Sequence, residues 1–221
     1  MIGAIMEQIR KQYSPETLDT GEFQSFKLSG MHFTSQAYRV PGLGHLSVLR
    51  AEGMLGLMRM DTMVLVPAER NLPLLSYDRI HAMGNDTLFI ELYDTQSGAL
   101  SLEPLQTIKE KYKELPDHDP GMHWYDSMRF PESVFKKGKK KWSTAFDGME
   151  QEFLEAYLAL PAGQPVSREE KVQKTKDYVE QLIKNGGPST DVFQKAFGEE
   201  KTRRFFTEVL FGTAGLDNQS D

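Results

Sequence analysis

The chain has 221 residues, of which 39% are hydrophobic and 26% charged, as in an ordinary folded globular protein. It contains no cysteine, which excludes disulfides, a thiolate nucleophile and any zinc site or iron–sulfur cluster held by cysteine. The formal net charge is −6, so nonspecific binding of nucleic acid by the whole surface is not expected.

The sequence has no pattern typical of membrane insertion or export. No apolar run approaches the roughly 18 residues of a spanning helix. The first 15 residues carry Glu7, Arg10 and Lys11 within a short apolar pattern, so no signal peptide is evident. We therefore expect a cytoplasmic protein that makes no contact with membranes.

The N-terminal part of the chain predicts a helix followed by a sheet. Residues 1–13 place apolar side chains at helical spacing, and Ser14-Pro15 ends the pattern. From residue 22 to 94 the apolar period changes to two, which predicts a mainly β region. Its strand-like segments are Phe23–Leu28, Met31–Val40, Leu46–Arg50, Met54–Val66 and Thr87–Asp94. The short loops between these segments favour an antiparallel meander.

The C-terminal part predicts mainly helices, from residue 101 to 212. The clearest signals are the capping box of Ser167 and Glu170, which opens a helix, and Gly186-Gly187-Pro188, which ends it. Residues 213–221 are expected to form a flexible tail. Strands followed by helices indicate one domain, residues 1–221, in which helices cover a sheet.

Common motifs of cofactor and metal enzymes are absent. There is no P-loop, dinucleotide fingerprint, Gly-x-Ser-x-Gly elbow or His-Glu-x-x-His sequence. The five histidines have no convincing metal-ligand spacing, so no metal site is expected. A self-contained nucleotide-dependent enzyme is therefore not expected.

Two carboxylates, Asp61 and Glu91, lie inside apolar strand-like segments. On a strand Asp61 shares a face with Arg59, and Thr62 points the opposite way. An ion pair with Arg59 gives Asp61 a structural role. Burial near apolar side chains would instead raise the pKa of either carboxyl group and make it a proton donor. Both readings remain open, with the structural one preferred.

Two stretches of the sequence resemble the ferredoxin-dependent bilin reductases. In that family an Asp-Leu-Pro turn, an apolar pair and a small residue precede an aspartate on the next strand. The matching stretch here is Asn71-Leu72-Pro73-Leu74-Leu75-Ser76-Tyr77-Asp78. A second likeness, to the closing helices of the family, lies in Asp191–Gly198 and Phe206–Phe211. Together the two likenesses cover residues 45–94 and 165–212.

The resemblance implies an α/β fold, a three-layer α/β/α sandwich with a central antiparallel β-sheet that encloses a linear tetrapyrrole such as biliverdin. Members of the family hold no metal, flavin or nicotinamide. Ferredoxin delivers single electrons and the protein delivers protons. By resemblance we expect no bound cofactor, ferredoxin as partner, no nucleic acid and a monomer.

The resemblance also assigns roles to individual residues. Asp78 is the counterpart of the aspartate that protonates the bilin, and Glu52 is the counterpart of an upstream glutamate. Thr62 stands where many members have a histidine, and Gly187 stands where others have a second aspartate. These two departures leave open which double bond would be reduced and whether reduction takes place at all.

Four residues are candidates for contact with the substrate. Asp61 and Thr62 adjoin the strand position at which the family keeps its histidine. A bilin bears two propionates, and arginines such as Arg50, Arg59 and Arg129 suit them as clamps. The predicted substrate-binding residues are therefore Asp61, Thr62, Arg50 and Arg59.

A basic run interrupts the otherwise acidic sequence. It consists of Lys136, Lys137, Lys139, Lys140 and Lys141. Such runs are in general solvated loops, or they contact the phosphates of nucleic acid or anionic lipid. In a ferredoxin-dependent enzyme a positive patch would steer the acidic ferredoxin, so these lysines are the predicted partner-binding residues.

Three functions are compatible with these features of the sequence. The first is ferredoxin-dependent reduction of a linear tetrapyrrole with Asp78 as proton donor. The second is a tetrapyrrole-binding protein of the same fold without reductase activity. The third is an interaction module that binds polyanions through its lysine run.

Overall fold

The computed structural model describes residues 2–161 and 167–216. The strands are β1 (Glu16–Leu18), β2 (Ser25–Leu28), β3 (Met31–Val40), β4 (Gly44–Gly53), β5 (Met58–Val66), β6 (Leu74–Ala82), β7 (Asn85–Tyr93) and β8 (Val134–Lys139). The helices are α1 (Ile2–Gln12), α2 (Glu103–Lys111), α3 (Ser143–Ala159), α4 (Arg168–Asn185), α5 (Pro188–Phe197) and α6 (Glu199–Arg204), and a π-helical segment, Phe205–Leu210, follows α6.

All eight strands form one antiparallel sheet with helices on both faces. The strand order is β1-β3-β4-β5-β6-β7-β8, and β2 pairs with β3 on the same edge as β1. Alternation along each strand sends Met63 and Tyr77 to the face covered by α1, α2 and α3, and Val64 and Leu74 to the face covered by α4, α5, α6 and Phe205–Leu210. We call these the α3 face and the α4 face. The predicted three-layer sandwich is confirmed.

The ends of α4 follow the predicted signals. The Oγ atom of Ser167 accepts a hydrogen bond of 3.3 Å from the backbone amide of Glu170 at the first turn. At the other end Gly186 has a φ of 76°, a left-handed conformation that suits glycine. The apolar stripe between them, which includes Val172, Val179 and Ile183, packs on the sheet.

The middle of the chain contains a strand that the sequence did not predict. Strand β8 lies at the edge of the sheet, antiparallel to β7, and coincides with most of the lysine run. Lysine and glycine have low strand propensity, which hides the pattern, although lysines are common on edge strands because they discourage further pairing. Strand β5 also begins later than predicted, because Met54–Gly56 forms the turn that precedes it.

The chain end differs from the predicted flexible tail. Thr213 and Leu216 are buried, so residues 213–216 pack on the domain, and residues 217–221 lie outside the described residues. In the part of the chain that the structure describes, no helix is both long enough and apolar enough to cross a membrane.

Candidate active site

A cavity lies between the α4 face of the sheet and the helices that cover it. Its volume is about 100 Å³, and it opens to solvent. Polar side chains from β5, β6 and β7 line one wall, and the helices supply the other wall. The lining residues are Thr62, Val64, Ser76, Asp78, Glu91, Tyr93, Tyr125, Tyr178, Leu182, Gly187, Pro188, Ser189, Thr190, Phe206, Leu210 and Phe211.

The turn before β6 positions Asp78 on this wall. Asn71 Nδ2 donates a hydrogen bond to the carbonyl of Ser97 over 2.6 Å, and Asn71 Oδ1 accepts one from the Ser97 amide over 2.9 Å. The Tyr157 hydroxyl donates to the carbonyl of Pro73 over 2.6 Å, and Lys171 donates to the carbonyl of Leu72 over 2.6 Å. The turn is therefore tied to both helical layers, which fixes the strand that carries Asp78.

Asp78 is paired with Thr62 directly across the sheet. The two residues are register partners on β6 and β5, and the Thr62 hydroxyl donates a hydrogen bond to Asp78 Oδ1. Burial raises the pKa of Asp78 to about 6, the nearby charge of Glu91 acts in the same direction, and the hydrogen bond from Thr62 opposes them. Asp78 can therefore exchange a proton near neutral pH.

Glu91 on β7 adds a second carboxyl group to the same wall. Arg129 Nη1 lies 3.3 Å from Glu91 Oε1, and both side chains are 14% exposed. Burial raises the pKa of Glu91, although a hydrogen bond from Tyr93 and the charge of Arg129 lower it. The cavity thus brings together two carboxyl groups that both hold protons more tightly than usual.

Three tyrosines give the cavity an aromatic surface. The ring centroid of Tyr93 lies 5.8 Å from that of Tyr125 and 4.7 Å from that of Tyr178. Burial raises the pKa of all three phenols, so they stay protonated and can donate hydrogen bonds at neutral pH. A flat conjugated ligand that carries oxygen or carboxylate groups suits such a surface.

The segment after α2 supplies the edge of the cavity. His123 stacks on Tyr125 with a centroid distance of 4.9 Å and an interplanar angle of 6°, and its Nδ1 atom is buried without a hydrogen-bond partner. Trp124 Nε1 donates to the carbonyl of Gly186 over 2.8 Å, which joins this segment to the end of α4. Within residues 2–161 and 167–216 no group of three His, Asp or Glu side chains is placed to hold a metal ion.

The structure separates the predicted site residues into two groups. Asp78 and Thr62 meet in the cavity. Arg50 and Glu52 on β4 point instead to the α3 face, and their register partners on β5 point the same way. Those partners, Asp61 and Arg59, line a second pocket with Arg50 and Glu52 at the start of α1. The sheet therefore lies between Glu52 and Asp78, and the predicted grouping of these two carboxylates is not found.

The ion pair of Asp61 also differs from the prediction. Its Oδ1 atom lies 3.7 Å from Nε of Arg50, its cross-strand neighbour, rather than pairing with Arg59 along the same strand. Opposite charges that face each other across an antiparallel pair are closer than residues two apart on one strand. This pairing is a structural reason for a carboxylate at position 61.

Gly187, which the resemblance aligns with an aspartate, lines the cavity. A Cβ atom added there would lie 3.5 Å from Leu182 and 3.7 Å from Tyr125, which are ordinary contact distances. The local backbone therefore has room for a side chain. Packing therefore does not exclude an acidic side chain at this position.

The predicted partner-binding lysines divide into one buried residue and four exposed ones. Lys136 Nζ donates to the carbonyl of Leu115 over 3.0 Å and to Asp117 Oδ1 over 2.6 Å, so it cannot contact a partner. Alternation along β8 turns this side chain inward, which the run of identical residues conceals. Lys137, Lys139, Lys140 and Lys141 are exposed.

Several lining residues were missed from the sequence. Strand alternation places Tyr93 on the same face as Glu91, so this residue was within reach of sequence reasoning. Tyr125 comes from a stretch that matches no motif, and Tyr178 reads as one more apolar position of α4. Their meeting depends on how the helical layer packs on the sheet, which local patterns do not contain.

Comparison with known proteins finds a likeness of fold. No protein-family model matches the sequence, and no curated protein is similar to it. The structure is similar to a crystal structure of phytochromobilin synthase from tomato in complex with biliverdin, with a TM-score of 0.73 and 14% sequence identity. The match covers 97% of this chain and 82% of the tomato chain. The predicted fold class is therefore supported by a solved structure as well as by the topology.

Proposed function

We propose that this chain reduces a linear tetrapyrrole of the biliverdin type in the cavity on its α4 face. Reduced ferredoxin supplies the electrons, and Asp78 donates a proton. The observation that carries the proposal is the Asp78–Thr62 pair, which places a carboxyl group with a pKa of about 6 in an aromatic cavity. The fold is shared with a protein that was crystallised with biliverdin.

The proposed chemistry balances electrons with protons. Reduction of one double bond adds two electrons, each from one reduced ferredoxin, and two protons. Asp78 releases its proton as the first electron arrives, and the resulting carboxylate keeps the hydrogen bond from Thr62. Glu91, whose pKa is also raised by burial, donates the second proton, and both groups regain protons from solvent at the open cleft.

The tyrosines position the substrate in this scheme. Protonated phenols of Tyr93, Tyr125 and Tyr178 donate hydrogen bonds to the lactam oxygens or the propionates. Small-molecule sites typically enclose about 300–1,000 Å³, so the cavity of about 100 Å³ must widen to admit a tetrapyrrole. Separation of α5 from the sheet beside Gly187 gives that widening.

The test uses the purified full-length chain without oxygen. Biliverdin is added first, then ferredoxin, ferredoxin reductase and NADPH, while the visible spectrum is recorded. We expect a shifted pigment spectrum that evolves to a product. Asp78→Asn should bind the pigment and slow its single-turnover reduction by roughly 10²- to 10⁴-fold, the range of general acid catalysis. Full activity in Asp78→Asn would refute the assigned role.

A matched control lies on the neighbouring strand. Asp61→Asn makes the same chemical change on the α3 face, and its turnover should stay near that of the wild type. Loss of turnover in Asp61→Asn with full turnover in Asp78→Asn would move the site to the other face of the sheet. Pigment affinity is measured for each variant, because it separates a loss of turnover from a loss of binding.

Different outcomes of this experiment would indicate the other two functions. A pigment shift that stays fixed after reduced ferredoxin is added would indicate a tetrapyrrole-binding protein without reductase activity. No pigment shift, together with strongly salt-dependent binding of nucleic acid, would indicate a polyanion-binding module.

A further inference from the structure

Two neighbouring turns at one end of the sheet expose large apolar side chains. The turn from β4 to β5 carries Met54, Leu55 and Leu57, and the turn from β6 to β7 carries Met83. Their exposed fractions are 54%, 105%, 66% and 75% in that order. The backbone amide of Met83 donates to the carbonyl of Leu57 over 3.4 Å, so the turns lie side by side. We call these four residues the apolar tip.

Stability of the fold does not explain the apolar tip. Met54, Leu55 and Met83 have φ values of 51°, 55° and 51°, in the left-handed region that residues with a Cβ atom avoid. Glycine or asparagine would relieve this backbone strain, and polar side chains would suit the exposure. Strained backbone that displays apolar groups to solvent is typical of a binding surface.

The surroundings of the apolar tip are basic although the whole molecule is acidic. Arg59, Lys140 and Lys141 are exposed beside it, and the amide of Lys140 donates to the carbonyl of Gly84 next to Met83 over 3.2 Å. The carboxylate of Glu52 faces Arg59 across the strand pair. Three cations and one carboxylate therefore flank the tip, a local excess of positive charge in a molecule of net charge −6.

We propose, in place of the expectation from the sequence that the protein makes no contact with membranes, that the apolar tip inserts into the surface of an anionic lipid bilayer. The side chain of Leu55 protrudes fully from the molecule and suits the boundary between headgroups and acyl chains. Arg59, Lys140 and Lys141 then lie at the level of anionic headgroups, which attract them. A protein partner would need pockets for four protruding side chains, whereas a bilayer accommodates them without a preformed shape.

The test measures cosedimentation of the full chain with vesicles. One set contains phosphatidylcholine alone, and the other also contains phosphatidylserine at roughly one third of the lipid, a strongly anionic surface. We expect binding to the anionic vesicles that weakens with salt. Leu55→Asp should lower the partition coefficient about tenfold or more, because a carboxylate is poorly tolerated among acyl chains and repelled by anionic headgroups.

A control and a second readout separate insertion from other causes. Met122→Asp makes the same change at a residue that is 97% exposed and lies outside the tip, and it should leave vesicle binding unchanged. Leu55→Trp should show a blue shift of tryptophan emission with anionic vesicles. Leu55 and Met122 are so exposed that both aspartate variants should keep the wild-type thermal midpoint.

Three results would overturn the proposal. They are no binding of the wild type to anionic vesicles, equal binding by Leu55→Asp, and no emission shift in Leu55→Trp. Sedimentation equilibrium tests the alternative that the tip binds a second copy of the chain. A wild-type dimer that Leu55→Asp converts to a monomer, without vesicle binding, would identify the tip as a contact between copies and refute lipid insertion.

Discussion

Asp78 and Arg79 are neighbours on β6, and they belong to opposite faces of the sheet. Arg79 is fully buried on the α3 face, where it forms hydrogen bonds of 2.6 and 2.7 Å with Asp86 and of 2.9 Å with Glu150. Asp78 on the α4 face lines an open cleft and accepts a hydrogen bond from Thr62. One strand therefore carries two ionisable groups in contrasting environments.

The environment of Arg79 is saturated. All three guanidinium nitrogens donate hydrogen bonds, with the carbonyl of Ser143 and the carboxylate of Asp147 as further acceptors at 3.2 Å. The Tyr77 hydroxyl donates to Glu150 over 2.8 Å, and the Phe146 ring lies 5.2 Å from the guanidinium carbon. These contacts close the space beneath α3.

The contrast separates stability from reactivity. A buried charge that is fully compensated holds its layer in place and has no reason to change its protonation. A carboxyl group whose burial is only partly compensated has a raised pKa and can exchange a proton with a ligand. We therefore expect substitutions on the α3 face to change stability and those on the α4 face to change function.

The largest effect expected from this comparison is the loss of stability in Arg79→Met. The substitution leaves Asp86 and Glu150 buried without their cation, which should lower the free energy of unfolding by about 3–5 kcal/mol. Urea unfolding followed by circular dichroism measures the change. Arg59→Met on the next strand removes an exposed arginine and should change the free energy by no more than about 0.5 kcal/mol. Similar losses of unfolding free energy in the two variants would contradict the expected difference between a buried, fully hydrogen-bonded arginine and an exposed one.

A smaller effect, with the opposite sign, is expected from Asp78→Asn. The pKa of Asp78 rises from 3.8 to about 6 on folding, so the folded state binds this proton more tightly than the unfolded state does. The stabilising contribution is complete below pH 3.8 and is lost as the pH rises through 6. At pH 8 the wild type therefore holds an unfavourable carboxylate, and Asp78→Asn should be more stable by about 1–2 kcal/mol.

Thermal unfolding at several pH values measures this difference. The two proteins should approach equal stability near pH 4, where the wild-type carboxyl group is neutral in the folded state. A difference that stays constant from pH 4 to pH 8 would show that packing, rather than titration of Asp78, separates them.

The sequence predicts the fold better than it predicts the site. Strand alternation and the Ser167 cap are local patterns, and they predicted α4 and the strands between residues 22 and 94, whereas β1 and β8 were missed. The resemblance named Asp78 and Thr62 separately, and only the structure shows that they are register partners on β6 and β5. Glu52 was assigned by resemblance to the family's upstream glutamate, and its face became clear only from the pairing of Glu52 with Arg59.

The remaining errors have a similar cause. In a run of identical residues nothing marks Lys136 as the one that turns inward, because its partners Leu115 and Asp117 come from a distant loop. The wall formed by Tyr125 and Tyr178 depends on how α4 packs on the sheet. Contacts between elements decide these features, whereas sequence patterns report on single elements.

The smallest effect expected concerns the exposed edge of the sheet. Under the proposed function, the acidic ferredoxin approaches the exposed lysines of β8, of which Lys137 points away from the core. Lys137→Glu should raise the KM for ferredoxin roughly twofold to fivefold at low salt and leave kcat unchanged, because exposed charges steer encounter more than they stabilise a complex.

Lys136 provides the comparison on the same strand. Lys136→Met removes a buried hydrogen bond to the carbonyl of Leu115 and should lower stability without changing the salt dependence of the KM for ferredoxin. The effect of Lys137→Glu should disappear at high salt, where exposed charges are screened beyond about one Debye length. A KM change that persists at high salt, or an equal change in Lys136→Met, would show that electrostatic steering by the β8 edge is not its cause.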